Sequence, residues 1–520
     1  MNFRQKILKK SFIIIFIVAA VAVLTYAGGY FIDNGAEEDK VIILHTNDEH
    51  GEFENLGQIA YLKNKYEKKY TDVFLVSAGD IFGGNPVVDQ YQKDGQDLRG
   101  KPIVALMNRA GYDVLTVGNH EFDYGQKRLQ EVRDQTSFSF IAANIICEKG
   151  AVLEPLEPYT VLEADSGRKV AFLGLLQVGP GGIPSTHPAN LDGLSFSNPF
   201  TAAGRYMYLD DKSDLFVGLT HLGYDQDHML AERFSRFDLL VGGHSHTVLE
   251  EPELVNDVLI TQAGSHTEYL GKIVIEYGPD DEIVKRRGQL IPVDEISGTV
   301  KEIEDEIKMY REEMAPWLQE SLIALPDSIQ GRSALGSLIC DAVAAVHGTD
   351  LAFQQDGGIR KHFLSGTVTR DDIYRLLPFA NNIIIYRMSS RDVKKLIRDS
   401  YSRYQELGLR VSGPGYRVMV DSRGEVIDVS LKVEPEGLSR SPNITDQPLQ
   451  NENEGEKYLV GMNSYLAESY SYITDNCETV KTTSYTTAET VIEYLNNLRG
   501  SELSSDFESR TRVQESEIHR

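Results

Sequence analysis

From Val41 to about residue 298, short apolar, β-rich runs alternate with longer segments of mixed polarity. Val41–Leu44, Val73–Val76, Val114–Val117, Leu215–Leu219 and Leu239–Val241 are nearly continuous apolar runs, the pattern of strands buried on both faces. The segments between them fit helices. Ile59, Leu62, Tyr66 and Tyr70 share one face at helical spacing, as do Met229, Leu230, Phe234 and Phe237. Strands alternating with helices predict an α/β layered domain. Residues able to hold a metal follow each run at once: His45-Thr46-Asn47-Asp48-Glu49-His50, Ser77-Ala78-Gly79-Asp80, Gly118-Asn119-His120-Glu121-Phe122-Asp123, Thr220-His221 and Gly242-Gly243-His244-Ser245-His246. Side chains just past strand ends gather at one rim of a sheet, where open α/β sheets bind ligands.

Farther on, Val300, Ile303, Ile307, Tyr310, Met314 and Trp317 form one stripe of an amphipathic helix over residues 299–317, and the only Trp is read as a packing residue. Leu335, Leu338, Ile339, Ala342, Val343 and Val346 mark a second helix, placed at the joint between two domains. The expected layout is a first domain over 41–330, a connecting helix over 331–348, a smaller α/β domain over 349–498 and a polar, disordered tail over 499–520. In the second domain a strand is expected at Ile383–Met388, a helix opened by Ser389 or Ser390, and a last helix near Thr487–Leu498.

Composition narrows the function. A chain of 520 residues exceeds one core, and 41% hydrophobic with 25% charged residues is globular. A net charge of -26 argues against a nucleic-acid partner. It also repels phosphate esters, so phosphate chemistry here needs local cations. Cys147, Cys340 and Cys477 make no disulfide framework, and Cys340 reads as a buried thiol. Residues Ser11–Ile32 carry no charge, with Arg4, Lys6, Lys9 and Lys10 before them and Asp33, Glu37, Glu38 and Asp39 after. That segment, within residues 1–40, reads as a membrane anchor with the rest of the chain outside, or as a signal peptide cleaved near Ala27, Gly28 and Gly29. Its length favours the anchor. No other membrane contact is expected, and oligomeric state is left open.

Pooled, the strand-end residues Asp48, His50, Asp80, Asn119, His221, His244 and His246 are too many for one tetrahedral site. They fit two divalent ions sharing a carboxylate, an arrangement that stabilises both the attacking and the leaving oxygen of a displacement at phosphorus. Carboxylate, imidazole and amide oxygen together suit zinc, manganese, iron or cobalt without choosing among them. His120 is able to donate a proton, with Asp123 three residues on to fix its tautomer.

These motifs, continued by Thr220-His221-Leu222-Gly223 and Gly242-Gly243-His244-Ser245-His246-Thr247, resemble in order and spacing those of the 5'-nucleotidase family, calcineurin-like metallophosphoesterases that include bifunctional UDP-sugar hydrolases. The resemblance spans about Val41 to Leu498. It implies a four-layer β-sandwich flanked by helices, joined by a helix to a smaller α/β substrate domain. It implies that Asp48, His50, Asp80 and His246 hold one metal and Asp80, Asn119, His221 and His244 the other. His120, paired with Asp123, would be the catalytic histidine, and hydrolysis would proceed by a metal-activated water attacking phosphorus.

The second domain of that family supplies the nucleotide pocket. Asp356-Gly357-Gly358-Ile359-Arg360 resembles its Gly-rich loop, with Arg360 a clamp for phosphate or carboxylate. Leu377-Pro378-Phe379-Ala380-Asn381 resembles a second substrate motif, in which Asn381 would contact base or ribose. Gln355 and Asp356 depart from the family's loop, and no aromatic stands at Gly408–Gly413, where the first ring of its base clamp would fall. Tyr470 or Tyr472 is the candidate for the second ring, or else a core residue. Nucleoside 5'-monophosphates are the leading expected substrate, hydrolysed outside the cytoplasm. UDP-sugars, 2',3'-cyclic nucleotides or another phosphoester on the same metals are alternatives, and a non-catalytic surface binding protein is a third reading.

Overall fold

The apolar runs become the strands of two six-stranded sheets. One has the order Ile283–Pro292, Tyr269–Tyr277, Glu37–Thr46, Tyr70–Ser77, Val114–Thr116, Ser139–Ile141; the other has the order Glu253–Val255, Val258–Thr261, Leu239–Val241, Leu215–His221, Lys169–Leu176, Tyr159–Glu163. This computed structural model describes residues 37–179, 182–186, 188–379, 381–402, 409–411, 416–420, 426–431, 457–498 and 511–515. The strands leading into the site run parallel within each sheet. Their side chains alternate between two buried faces. Val41, Ile43, Phe74, Val76 and Val114 meet Phe172, Val217, Leu219, Leu239 and Val241 between the sheets. Ile42, Leu44, Leu75 and Leu115 face outward with residues of the helices Leu56–Glu67 and Lys101–Ala110, while Ala171, Leu173, Phe216 and Leu240 do so with residues of Pro199–Tyr206 and Tyr224–Arg233. The result is helix, sheet, sheet, helix: four layers, with strands that are apolar throughout because neither face meets water.

The helical stripes hold with two corrections. Ile59 and Leu62 are buried on the first helix, but Tyr70 opens the next strand, because the helix stops at Glu67. Leu230 is buried while Met229 is 56% exposed, and Phe234 and Phe237 lie beyond the helix, which ends at Arg233. The stripe over 299–317 becomes the helix Lys301–Leu318, with Ile303, Ile307, Tyr310 and Met314 buried. Trp317 packs, with the Tyr374 ring 5.8 Å away and the Arg370 guanidinium 5.0 Å over it. The helix Gly331–His347 follows, with Leu335, Leu338, Ile339 and the Cys340 thiol buried.

The second domain is built on a sheet ordered Leu409–Val411, Leu351–Gln355, Lys457–Asn463, Asn382–Ser389, Glu478–Thr486. Ser389 opens the helix Ser390–Ser402: its hydroxyl accepts the Asp392 N–H at 3.2 Å and donates to the Asp392 carboxylate at 2.6 Å. A capping box of Thr486 and Glu489 starts the last helix, Thr487–Asn497. The tail expected to lack order carries a strand, Thr511–Glu515, parallel to Tyr416–Val420. Thr511 and Val513 give that stretch β-branched residues two apart, and an available sheet edge satisfies its backbone. Residues 1–36, which hold the expected anchor or signal, and Gly408, Ser412 and Gly413 lie outside the described residues. Among the described residues no helix is long and apolar enough to cross a membrane.

Candidate metal centre

Five loops leave the carboxyl ends of parallel strands and lock together through their backbones. The Asp48 N–H donates to the Gly79 carbonyl at 2.8 Å, His50 N–H to the Asp80 carbonyl at 2.9 Å, and Gly51 N–H to the Ile81 carbonyl at 2.9 Å. The Asp48 carboxylate accepts the His244 N–H at 3.0 and 3.1 Å, and Asp80 Oδ1 accepts the His120 N–H at 2.8 Å. A Cβ at Gly118 would stand 2.2 Å from Asp80 Oδ1, so the motif needs glycine there. Asp48, His50, Asp80, His244 and His246 all lie in the left-handed region, at φ 51°, 48°, 60°, 77° and 53°. Such conformations cost about 1–3 kcal/mol each, and persist only where the surroundings over-determine them.

All seven strand-end residues come together. Ligand atoms of Asp48, His50 and His246 lie within 4.8 Å of one another, and so do those of Asp80, His221 and His244, and of His50, Asp80 and His120. Asp80 thus stands in two of the three groups. The Asn119 Nδ2 donates to the Ser185 carbonyl at 3.0 Å, which turns its Oδ1 toward His244 Nδ1 at 3.1 Å. His50 Nδ1 is 2.9 Å from the Gly83 carbonyl and His221 Nδ1 is 2.7 Å from the Ala78 carbonyl. Each of those nitrogens must carry the proton, which leaves the Nε2 lone pair for the site. In that tautomer His221 Nε2 would face Asp80 Oδ2 at 3.0 Å, lone pair against carboxylate, and His50 Nε2 lies 3.1 Å from His246 Nε2.

Such contacts call for positive charge between them. Burial disfavours a charged Asp80, yet the His221 and His120 imidazoles hold its carboxyl well below the usual range. Burial likewise opposes charge on His221, and Asp80 and Asp48 overcome it, pushing the imidazole up to about 10. With protons alone, the two buried carboxylates are neutralised by imidazolium; divalent cations would do the same through the same lone pairs. The donor set fits such ions.

His120 sits beside this cluster, with Nδ1 2.7 Å from Asp123 Oδ2. Burial works against its charge, but Asp123 and Asp80 raise it to about 10. Its ring is edge-on to His50 at 5.1 Å.

In the second domain the candidates divide. Arg360 is exposed, its guanidinium 5.7 Å from the Phe379 ring and near enough for its charge to act on His266 at the mouth of the metal cluster. Asn381 lines a small cavity with Gln354, Gln355, Leu377, Phe379 and Asn463. Asn463 Nδ2 donates to Gln354 Oε1 at 3.1 Å and Gln355 Oε1 at 2.8 Å. Tyr470 is 5% exposed and belongs to a different cluster, the core with Val393, Leu396 and Ile397. Tyr472 packs against that core under Lys395, whose Nζ is 3.6 Å from the ring centre. Neither tyrosine is brought to the cavity, because the stretch after Glu468 winds into the helix Ser471–Asn476 over the sheet.

Sequence reasoning missed three residues here. Glu121 accepts the Asp80 N–H at 2.9 Å, the Ile81 N–H at 2.7 Å and the Gly118 N–H, tying two ligand loops together; its place inside the hexapeptide was a usable signal. Phe379 is the aromatic of the cavity, inside a motif read only for its Asn. His266 stands 5.4 Å from the His50 ring, and no motif marked it.

Residues 41–248 match the family model for calcineurin-like phosphoesterases, and residues 320–474 that for the C-terminal domain of 5'-nucleotidases. A trifunctional nucleotide phosphoesterase of Bacillus subtilis is 23% identical over 493 residues, which cover 83% of this chain and 32% of that protein. A 5'-nucleotidase of Vibrio cholerae is 25% identical over 492 residues, 79% of this chain and 87% of that one. The chain spans about a third of the length of two curated relatives it matches, 32% and 33%. The crystal structure of a 5'-nucleotidase precursor from Thermus thermophilus shares the fold, with a TM-score of 0.69 at 24% identity, covering 91% of this chain and 99% of that one.

Proposed function

This chain belongs to the 5'-nucleotidase family of metallophosphoesterases and is a hydrolase, and on that premise we propose that it releases phosphate from nucleoside 5'-monophosphates outside the cytoplasm. The observation that carries the reading is that Asp80 shares one group with His221 and His244 and another with His50 and His120, that His50 in turn shares one with Asp48 and His246, and that Asp123 backs His120. In this reading Asp48, His50, Asp80 and His246 hold one divalent ion, and Asp80, Asn119, His221 and His244 the other. When bound, two such ions supply Lewis-acid charge to both the entering and leaving oxygens and lower the pKa of water. The chain's own part is then to orient and to move protons. Asp123 accepts the His120 Nδ1–H and, with Asp80, keeps the ring protonated against burial, so that its Nε2–H stabilises or protonates the departing nucleoside oxygen, a poor leaving group on its own. Arg360 clamps the substrate's anionic or polar end from the second domain, and Asn381 contacts base or ribose. Export is supported by the uncharged stretch Ser11–Ile32 behind four basic residues.

A second reading keeps the metals and changes the substrate, to a UDP-sugar, a 2',3'-cyclic nucleotide or another phosphoester. The burial of Tyr470 in the sheet core favours the last of these, a phosphoester without a base, since a base would then lack one expected ring. The deciding experiment is hydrolysis of AMP, UDP-glucose, 2',3'-cyclic AMP and an aryl phosphate, read by the nucleoside, nucleotide or phenol formed, with zinc, manganese, iron or cobalt added and with chelator. Highest kcat/KM on AMP, abolished by chelator, is the expected result. Inactivity on all four with every metal would sink both readings.

A further inference from the structure

The loop Gly264-Ser265-His266-Thr267 closes one side of the mouth of the metal cluster. His266 and Thr267 both have positive φ, 55° and 54°. Two successive side-chain-bearing residues in that region are rare, and a β-branched residue there is an outlier. The loop is held in this state from three directions. The His266 N–H donates to the Asp48 carbonyl at 2.8 Å, Asn55 Nδ2 donates to both Thr267 oxygens at 3.2 Å, and Asn47 Nδ2 donates to the Gly264 carbonyl at 2.6 Å. Thr267 is buried at 1% exposure, whereas the His266 ring remains partly exposed. That ring lies 5.4 Å from His50 and 6.2 Å from His246, yet it is in none of the ligand groups. The charge of the Arg360 guanidinium of the second domain also acts on it.

The ring therefore stands beside the candidate ligands His50 and His246 and within reach of the charge of Arg360, the cation proposed to take the far end of the substrate. Strained conformations of this kind cluster at functional sites, and this one is pinned by a backbone bond to a ligand loop and sits beside the candidate ligand rings. We propose that His266 is a substrate-contact residue whose ring N–H donates to an oxygen of the substrate beyond the reacting phosphoryl group, a ribose oxygen or a second phosphate. This rests on the phosphohydrolase reading above. It predicts discrimination between esters that carry such an oxygen and esters that do not.

The test uses the full-length, metal-loaded enzyme and three probes. An aryl phosphate has no acceptor beyond the ester, AMP offers ribose oxygens, and UDP-glucose adds a second phosphate. His266→Gly removes the ring and accepts the left-handed backbone, and His266→Asn keeps both the conformation and an N–H donor. The ratio of kcat/KM on AMP or UDP-glucose to that on the aryl phosphate should fall about tenfold in His266→Gly, the worth of one hydrogen bond, and recover in part in His266→Asn. A larger fall on UDP-glucose assigns the contact to the second phosphate, and equal falls assign it to ribose. An unchanged ratio in His266→Gly, whether activity is kept or lost equally on all three probes, overturns the contact while leaving the phosphohydrolase reading intact. A wild-type enzyme inactive on every probe overturns that reading and the proposal with it.

Discussion

The two halves of the molecule spend their polar residues differently. In the first, five loops deliver imidazoles and carboxylates to one rim, most of them buried and in left-handed conformations fixed by backbone hydrogen bonds. In the second, the polar residues of the cavity satisfy each other: Asn463 donates to Gln354 and Gln355, and its own Oδ1 caps the next helix by accepting the Leu466 N–H at 2.9 Å. The tyrosines expected to face a ligand are in the core instead. A site whose buried groups are left facing one another across short gaps needs a guest to complete it. A site whose amides are already paired holds its shape without one. On the proposed reading, chemistry is therefore built rigidly into the first half, while recognition in the second would rest on fewer groups, Arg360, Asn381 and Phe379.

The sharpest way to break this contrast is in the first half. Asp80→Ala should lose at least one of two bound metal ions and nearly all turnover; full metal content with full activity would show that Asp80 is not shared. His120→Ala should keep both ions, measured by metal analysis of the purified protein, and lower kcat by ~10²–10⁴-fold, the usual worth of a positioned general acid. Arg360→Ala, in the second half, should act on binding instead. Removing a charged hydrogen bond at an exposed residue should raise KM for AMP about tenfold to a hundredfold, with kcat within a few fold. A loss confined to kcat would mean that Arg360 works on the reacting phosphoryl group and that the division between the halves is wrong.

That division also explains what could be read from the chain alone. Apolar runs such as Val41–Leu44 and Leu215–Leu219 are strands because no face of them is wet, and a ligand at a strand end or within five residues of it has little freedom in where it lands. The candidate metal residues and the His120–Asp123 pair were legible for that reason. Helix ends were not: Tyr70 and Phe237 keep the helical spacing but lie past the stops at Glu67 and Arg233. Tyr470 was ambiguous in principle, since a buried tyrosine and a stacking tyrosine look alike in sequence, and only the sheet's packing decides. His266 was invisible because its signal is a backbone conformation, held by residues more than two hundred positions away.

The last prediction concerns stability instead of turnover, at Asp227, which is fully buried and accepts the Thr220 hydroxyl at 2.7 Å. Burial pushes its carboxyl from 3.8 up to about 8, the Thr220 hydrogen bond and the His221 charge opposing only in part. Between these values the folded protein holds a proton that the unfolded chain has released, so stability falls as pH rises from about 4 to about 8. Below that window both states are protonated and the full contribution is present. Asp227→Asn carries no such proton. In metal-free protein its stability relative to wild type should therefore rise steadily over the same window, read from denaturant midpoints at pH 4, 6 and 8. In the second domain Asp372 is only partly buried, and although that burial opposes its charge, Lys361 and Thr369 hold its carboxyl below the ordinary value. The matching substitution there, Asp372→Asn, should change stability in the opposite sense, losing ground to wild type as pH rises through the carboxylate range. If both variants respond alike, the buried charge is not what separates the two halves, and the contrast has to rest on the left-handed ligand loops alone.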